Sequence, residues 1–150
     1  MKVELLTGAV ALLMLAGQAA AQSPASTCGR VSQFDMAPRH RQVYPVLVLA
    51  IDGRAPGPTT SNTFRVPPGP HVVSMAERID HREFSNVELR RRTINRTGGR
   101  AKITFDVEPG YTYFVGAQSF LRSDRDAMAA KPENQYWAPV VYMRISDPCR

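Results

Sequence analysis

The chain has 150 residues, 43% hydrophobic and 21% charged, with 19 Lys and Arg against 13 Asp and Glu. These proportions exclude wholesale disorder and collagen-like repetition, and the length fits one domain. Two cysteines are too few for a disulfide-dense miniprotein or a Cys-based zinc site, and the net charge of +6 directs attention to acidic partners.

Residues 1–21 read as a signal peptide. Lys2 supplies a short basic start, weakened by Glu4, and Leu5 to Gly17 is apolar except for Thr7. Ala19-Ala20-Ala21 then meets the small-x-small cleavage rule, leaving Gln22 as the first mature residue. The apolar run is shorter than the roughly 20 residues of a spanning helix, so cleavage is expected rather than anchoring. Cys28 lies too far beyond the run for lipidation. The expected organisation is a signal peptide at 1–21, a flexible Ser/Ala/Pro leader at 22–27 and one domain at 28–150, located in the periplasm or secreted. Thiols tend to pair in an oxidising compartment, so a disulfide between Cys28 and Cys149 is expected. It would close a loop of about 120 residues, which the chain-entropy view values at about 4–5 kcal/mol. A redox role lacks the C-x-x-C spacing.

Along the mature chain, Arg30 to Met36 fits a short edge strand. Val43 to Ile51 is a continuous apolar run ending at Asp52-Gly53, as expected of a strand buried on both faces at a sheet centre. Arg54 to Asn62 is a Pro/Gly/Ser/Thr loop. Phe64 and Val66 alternate with polar residues and run into Pro67-Pro68-Gly69-Pro70, a turn with Pro presetting φ and Gly supplying positive φ; His71 to Ala76 reads as the return strand. Val87 and Leu89 alternate with Glu88 and Arg90, which predicts another short strand. Ala101 to Glu108 shows strict period-two alternation, with Ala101, Ile103, Phe105 and Val107 on one face. Pro109-Gly110 turns the chain, and Tyr111, Tyr113, Val115 and Ala117 share a face. Residues 121–135 are polar, with a helical turn or two around 124–130. Trp137, Val141, Met143 and Ile145 share a face of the last strand, which Pro139 places at an edge.

The motif F-x-V-x-P-G occurs at Phe64 to Gly69 and again at Phe105 to Gly110, predicting two similar hairpins. About seven short strands at intervals of roughly ten residues give an all-β fold, an antiparallel β-sandwich.

The Ile51-Asp52-Gly53 turn, Val66-x-x-Gly69-x-His71-x-Val73 and Val107-Glu108-Pro109-Gly110-x-Thr112-Tyr113 follow one another in an order that resembles PEGA-like and carboxypeptidase-regulatory-like (transthyretin-like) envelope β-sandwiches. The resemblance covers roughly residues 43–118, without a Pro-Glu-Gly-Ala signature. It implies a non-catalytic extracytoplasmic module and transfers no active site.

Catalytic motifs are absent from the sequence. His40, His71 and His81 form neither H-x-x-x-H nor H-E-x-x-H, and no G-x-S-x-G elbow surrounds Ser74, Ser85 or Ser119. Gly98-Gly99 lacks the Lys-Ser/Thr of a phosphate loop. No cofactor, metal or catalytic residue is therefore expected. The strongest functional signal is basic: Arg78, Arg82, Arg90, Arg91, Arg92, Arg96, Arg100 and Lys102 face only Asp80, Glu83 and Glu88 in the same stretch. Guanidinium suits bidentate contact with carboxylate or phosphate. Nucleic acid is not expected, because no aromatics interleave for base stacking. The reading is an exported non-catalytic envelope module that binds an anionic envelope polymer or an acidic protein through Arg90, Arg91, Arg92, Arg96 and Arg100. The alternative is a small exported hydrolase using His71 or His81 with Asp80, Asp124 or Asp126. A loop-presenting inhibitor, through residues 54–62, is a third form.

Overall fold

The computed structural model describes residues 27–58, 60–95, 99–120, 131–132 and 134–148. The expected signal peptide, the leader up to residue 26, Arg96, Asp124, Asp126 and Cys149 lie outside them.

The alternating segment forms β6 (Arg100–Val107), and β7 (Tyr111–Ser119) follows it. The other strands are β1 (Gly29–Ser32), β2 (Val43–Tyr44), β3 (Val46–Ile51), β4 (Thr63–Val66), β5 (Gly69–Glu77) and β8 (Trp137–Ser146). One helix, α1, spans Asn86–Ile94. The fold is all-β in character, with two sheets.

The larger sheet is built around β7. On one side β8 pairs with it from Tyr111↔Ser146 to Ser119↔Trp137. On the other, β1 pairs in parallel with Thr112 to Phe114, and β2 pairs antiparallel with Ala117 and Gln118. Beyond β1 lies β4. The smaller sheet runs β3-β5-β6, antiparallel throughout. Both sheets contribute to one apolar cluster: Val31, Phe64, Tyr113 and Val115 from the larger, Val46, Val73, Met75 and Val107 from the smaller. Val73 and Met75 are wholly buried, each worth about 1.5–3 kcal/mol of burial.

Several expectations are corrected. The run from Val43 to Ile51 is not one central strand. It breaks at Pro45, which has no N–H for a ladder, so β2 and β3 end in different sheets, each at an edge. The Pro45 carbonyl instead accepts from Arg78 N at 2.9 Å. Neither F-x-V-x-P-G segment is a hairpin. β4 and β6 each hand the chain to the opposite sheet, through Gly69 (φ +127°) and Gly110 (φ +77°). The Pro-Gly chemistry marks the corner correctly but carries no information about which sheet receives the chain. β1 is an inner strand, not an edge, and its pairing with β7 departs from a purely antiparallel arrangement.

The strand predicted around Val87 and Leu89 is the helix α1. Ser85 caps it: its side chain accepts from Glu88 N at 3.3 Å while the Glu88 carboxylate accepts from Ser85 N at 2.8 Å, a capping box. Helical geometry separates the two apolar residues, leaving Val87 exposed and Leu89 packed on the core. In β8 the register shifts between the Phe114 and Val115 pairs. Trp137 and Val141 consequently pack on the core, whereas Ile145, placed on the same face by sequence, turns to the outer side, where it is 42% exposed. The extra residue of a bulge reverses the alternation beyond it.

Candidate functional site

The arginine segment divides into anchors and exposed charges. Arg92 Nη2 lies 3.1 Å from Glu77 Oε1, and its guanidinium carbon sits 5.0 Å from the centre of the Phe84 ring. The Glu77 side chain is only 3% exposed. It also accepts from Tyr136 Oη at 3.0 Å and Ile79 N at 2.7 Å. Burial, then the Glu77 charge, pushes the Tyr136 hydroxyl pKa well above its ordinary value, with Arg92 opposing; it stays a neutral donor. Arg91 Nη1 donates to the carbonyls of Pro132 at 3.1 Å and Gln135 at 2.9 Å. These two arginines hold α1 to β5 and to the segment before β8. Arg90, on the helix, and Arg100, at the start of β6, are exposed. The five predicted contact residues therefore do not share one role, and Arg96 lies outside the described residues.

Of the acidic side chains in the stretch, Glu88 is buried, whereas Asp80 and Glu83 are exposed but bonded within the chain. Glu88, the sole carboxylate of α1, is 1% exposed. It takes hydrogen bonds from Ser85 N and the Ser119 hydroxyl. Asp80 caps the turn His81–Glu83, accepting from Arg82 N at 2.9 Å. That backbone hydrogen bond holds its carboxyl below the usual range against the cost of burial, with lesser help from His81 and Arg82. Glu83 accepts from the Tyr44 hydroxyl at 3.3 Å. Arg78, Arg82, Arg90, Arg100 and Lys102 stand exposed, as do Asp80 and Glu83, so the outward face of this stretch stays basic.

The histidines do not assemble a catalytic group. His71 points into the smaller sheet's end of the core and is 5% exposed. Its Nδ1 lies 2.6 Å from Asp52 Oδ2 and its Nε2 lies 2.8 Å from the Pro67 carbonyl oxygen. A carbonyl only accepts, and an ionised carboxylate only accepts, so these contacts favour the doubly protonated ring. Burial alone would lower the His71 pKa, but the bonds to Asp52 and Pro67 and the Asp52 charge outweigh it and raise the value. Asp52 is lowered by the hydrogen bond from Val72 N (2.8 Å), then by His71. Both nitrogens are thus spent on tying the Asp52 turn to the β4–β5 corner. His81 is 73% exposed beside Asp80, at 3.2 Å; His40 is exposed. The partner of His71 is Asp52, 19 residues earlier; the β3–β5 ladder brings the two together, and the Asp52-Gly53 turn is the signal for it in the sequence.

Cys28 is buried, and no free thiol occurs among the described residues. Gly110 N donates to the Cys28 carbonyl at 2.9 Å, and Asp147 N donates to the Gly110 carbonyl at 2.8 Å. The chain ends leading to the two cysteines therefore meet at one corner, although Cys149 itself lies outside the described residues. β1 and β8 are not adjacent, but flank the start of β7.

Among the described residues no helix is long and apolar enough to cross a membrane. Comparison of the chain with models of known families, with curated proteins and with solved structures finds no match.

Proposed function

We propose that the chain is an exported, non-catalytic β-sandwich module, of the PEGA-like or transthyretin-like kind, that binds an anionic envelope polymer or acidic protein. Export follows from the apolar N-terminal run with its Ala19-Ala20-Ala21 end. The observation that carries the binding is the excess of exposed basic residues around α1: Arg78, Arg82, Arg90, Arg100 and Lys102 stand exposed, against Asp80 and Glu83 among the acidic residues of 78–102. Arg91 and Arg92 belong to the scaffold of this surface, and Arg90 and Arg100 are its contact residues.

Retention of the full chain on immobilised polyphosphate and on polyglutamate tests the reading. Retention should fall as salt rises, because exposed charges are screened over about 8–10 Å at ordinary ionic strength. The triple change R82E, R90E and R100E should abolish it. A folded triple variant retained as strongly as the parent would overturn the proposal.

A further inference from the structure

A sheet edge can accept another chain, and folded proteins blunt their edges with short strands, bulges, proline or charge. Among the described residues the edges of this fold are blunted in all but one case. β2 and β4 hold two and four residues. β3 has a register irregularity between Val48 and Ala50, and Val48 N donates to the Gln33 side-chain oxygen at 2.6 Å. β8 has its own irregularity and contains Pro139. β6 has neither bulge nor proline. It pairs with β5 without interruption from Gly69↔Val107 to Ala76↔Arg100, and no described strand flanks its other side.

The β5–β6 ladder fixes which backbone groups face away. Glu77 N donates to the Gly99 carbonyl at 3.1 Å. Bonded and non-bonded pairs alternate along an antiparallel ladder, so Ala101, Ile103, Phe105 and Val107 turn their N–H and C=O groups to β5. Lys102, Thr104 and Asp106 turn theirs outward, and none of the three has a hydrogen bond or ion pair among the described residues. Their side chains are exposed as well. The edge thus offers a row of unused backbone groups with one positive and one negative charge spaced evenly about Thr104.

We infer that β6 pairs antiparallel with β6 of a second copy, about a two-fold axis at Thr104, joining two three-stranded sheets into one. On this axis Lys102 falls opposite Asp106 of the second copy, twice by symmetry, and Thr104 falls opposite itself. Opposite charges and facing threonines favour a cross-strand pair. On the inner face Ile103 falls opposite Phe105, both already packed on the core. Moving the axis to Lys102 sets that charge against itself, and moving it to Ile103 leaves Lys102 opposite Thr104. The Thr104 axis uses both unpartnered charges. A single strand pair buries less than the roughly 1,200 Å² of a stable interface, so the association is weak, with Kd on the order of 10–100 μM. The inference does not rest on anion binding at α1; it withdraws Lys102 from that surface and leaves Arg90 on it.

Sedimentation equilibrium of the protein as the cell processes it, from about 1 μM to about 1 mM, tests the inference. A reversible monomer–dimer equilibrium is expected. Lys102→Asp sets like charges opposite one another and should weaken it about tenfold or more. Adding Asp106→Lys to that same chain restores opposite charges and should restore association. Thr104→Pro removes an N–H that β5 does not use, so the chain should keep its far-ultraviolet circular dichroism and stay monomeric. R90E should leave the dimer intact while weakening polyphosphate retention, which separates this edge from the proposed function. A monomer throughout the range, a dimer unmoved by Lys102→Asp or by a folded Thr104→Pro chain, or a folded double variant that fails to recover would overturn the inference. So would a dimer that survives a denaturing non-reducing gel or that R90E dissociates, since a disulfide or α1 would then be the contact.

Discussion

Neighbouring arginines on α1 should differ sharply when each is replaced by methionine. Arg92 pairs with a carboxylate that is 3% exposed, whereas Arg92 itself is 39% exposed. Removing one partner of a fully buried pair costs about 3–5 kcal/mol. Solvent at Arg92 reduces this, and Glu77 keeps its bonds from Tyr136 and Ile79, so about 2 kcal/mol is expected from the lost ion pair. The contact with Phe84 adds about 0.5–1 kcal/mol. Arg92→Met should therefore lower stability by about 2–3 kcal/mol, or Tm by roughly 10 °C at this chain length. Arg90→Met should stay within about 0.5 kcal/mol of the parent. Thermal and urea unfolding of both variants measure the difference. A cycle with Glu77→Gln should place most of the loss in the pair itself, because the buried carboxylate no longer needs a counter-charge. If Arg92→Met unfolds within a degree or two of Arg90→Met, the division into anchors and contact residues is wrong.

The His71–Asp52 pair should give stability two flanks. The folded His71 pKa is raised above its ordinary 6.5, so its contribution is complete below that value and is lost as pH rises through the raised one. The Asp52 value is lowered, so its contribution is present above its ordinary 3.8 and is lost as pH falls through the lowered one. Urea midpoints should fall on the alkaline side for the parent and hardly change there in His71→Gln; a ring whose NMR titration midpoint lies below 6.5 would contradict the assignment. Ser85→Ala removes the acceptor for Glu88 N and should cost about 1 kcal/mol, with helical circular dichroism lost at lower temperature than in the parent. The expected Cys28–Cys149 bond should appear in the secreted protein as a peptide pair joined under non-reducing mass spectrometry, and Cys28→Ser should lower stability by about 2–5 kcal/mol.

Strand identity was readable wherever one face is buried and one is wet. β6 alternates because its inner residues Ile103 and Phe105 meet the core while Lys102 and Thr104 meet solvent. Sheet membership was not readable, because a Pro-Gly corner turns the chain equally well toward the same sheet or the opposite one. Val43 to Ile51 misled because its apolarity is continuous across the Pro45 break. Around Val87 the Ser85-x-x-Glu88 capping signal competes with an apolar alternation of only three residues, and the cap prevails. The arginines were visible as a cluster, but their division depends on Glu77, Pro132 and Gln135, which only tertiary packing brings to Arg92 and Arg91. The outward turn of Ile145 is the least legible feature, because it depends on the bulge in β8.

The position of β7 constrains how the chain can reach its native state. β1 is made first, yet its neighbour on one side is residues 112–114, and β2 awaits residues 117 and 118. β7 in turn is covered along its whole other flank by the last strand. A polypeptide emerging N-terminus first holds several early apolar strands whose mates have not been made, and such non-local pairing is slow and exposed to misassociation. No N-terminal fragment ending before Trp137 is a finished unit. The larger sheet closes only when the last strand pairs along β7.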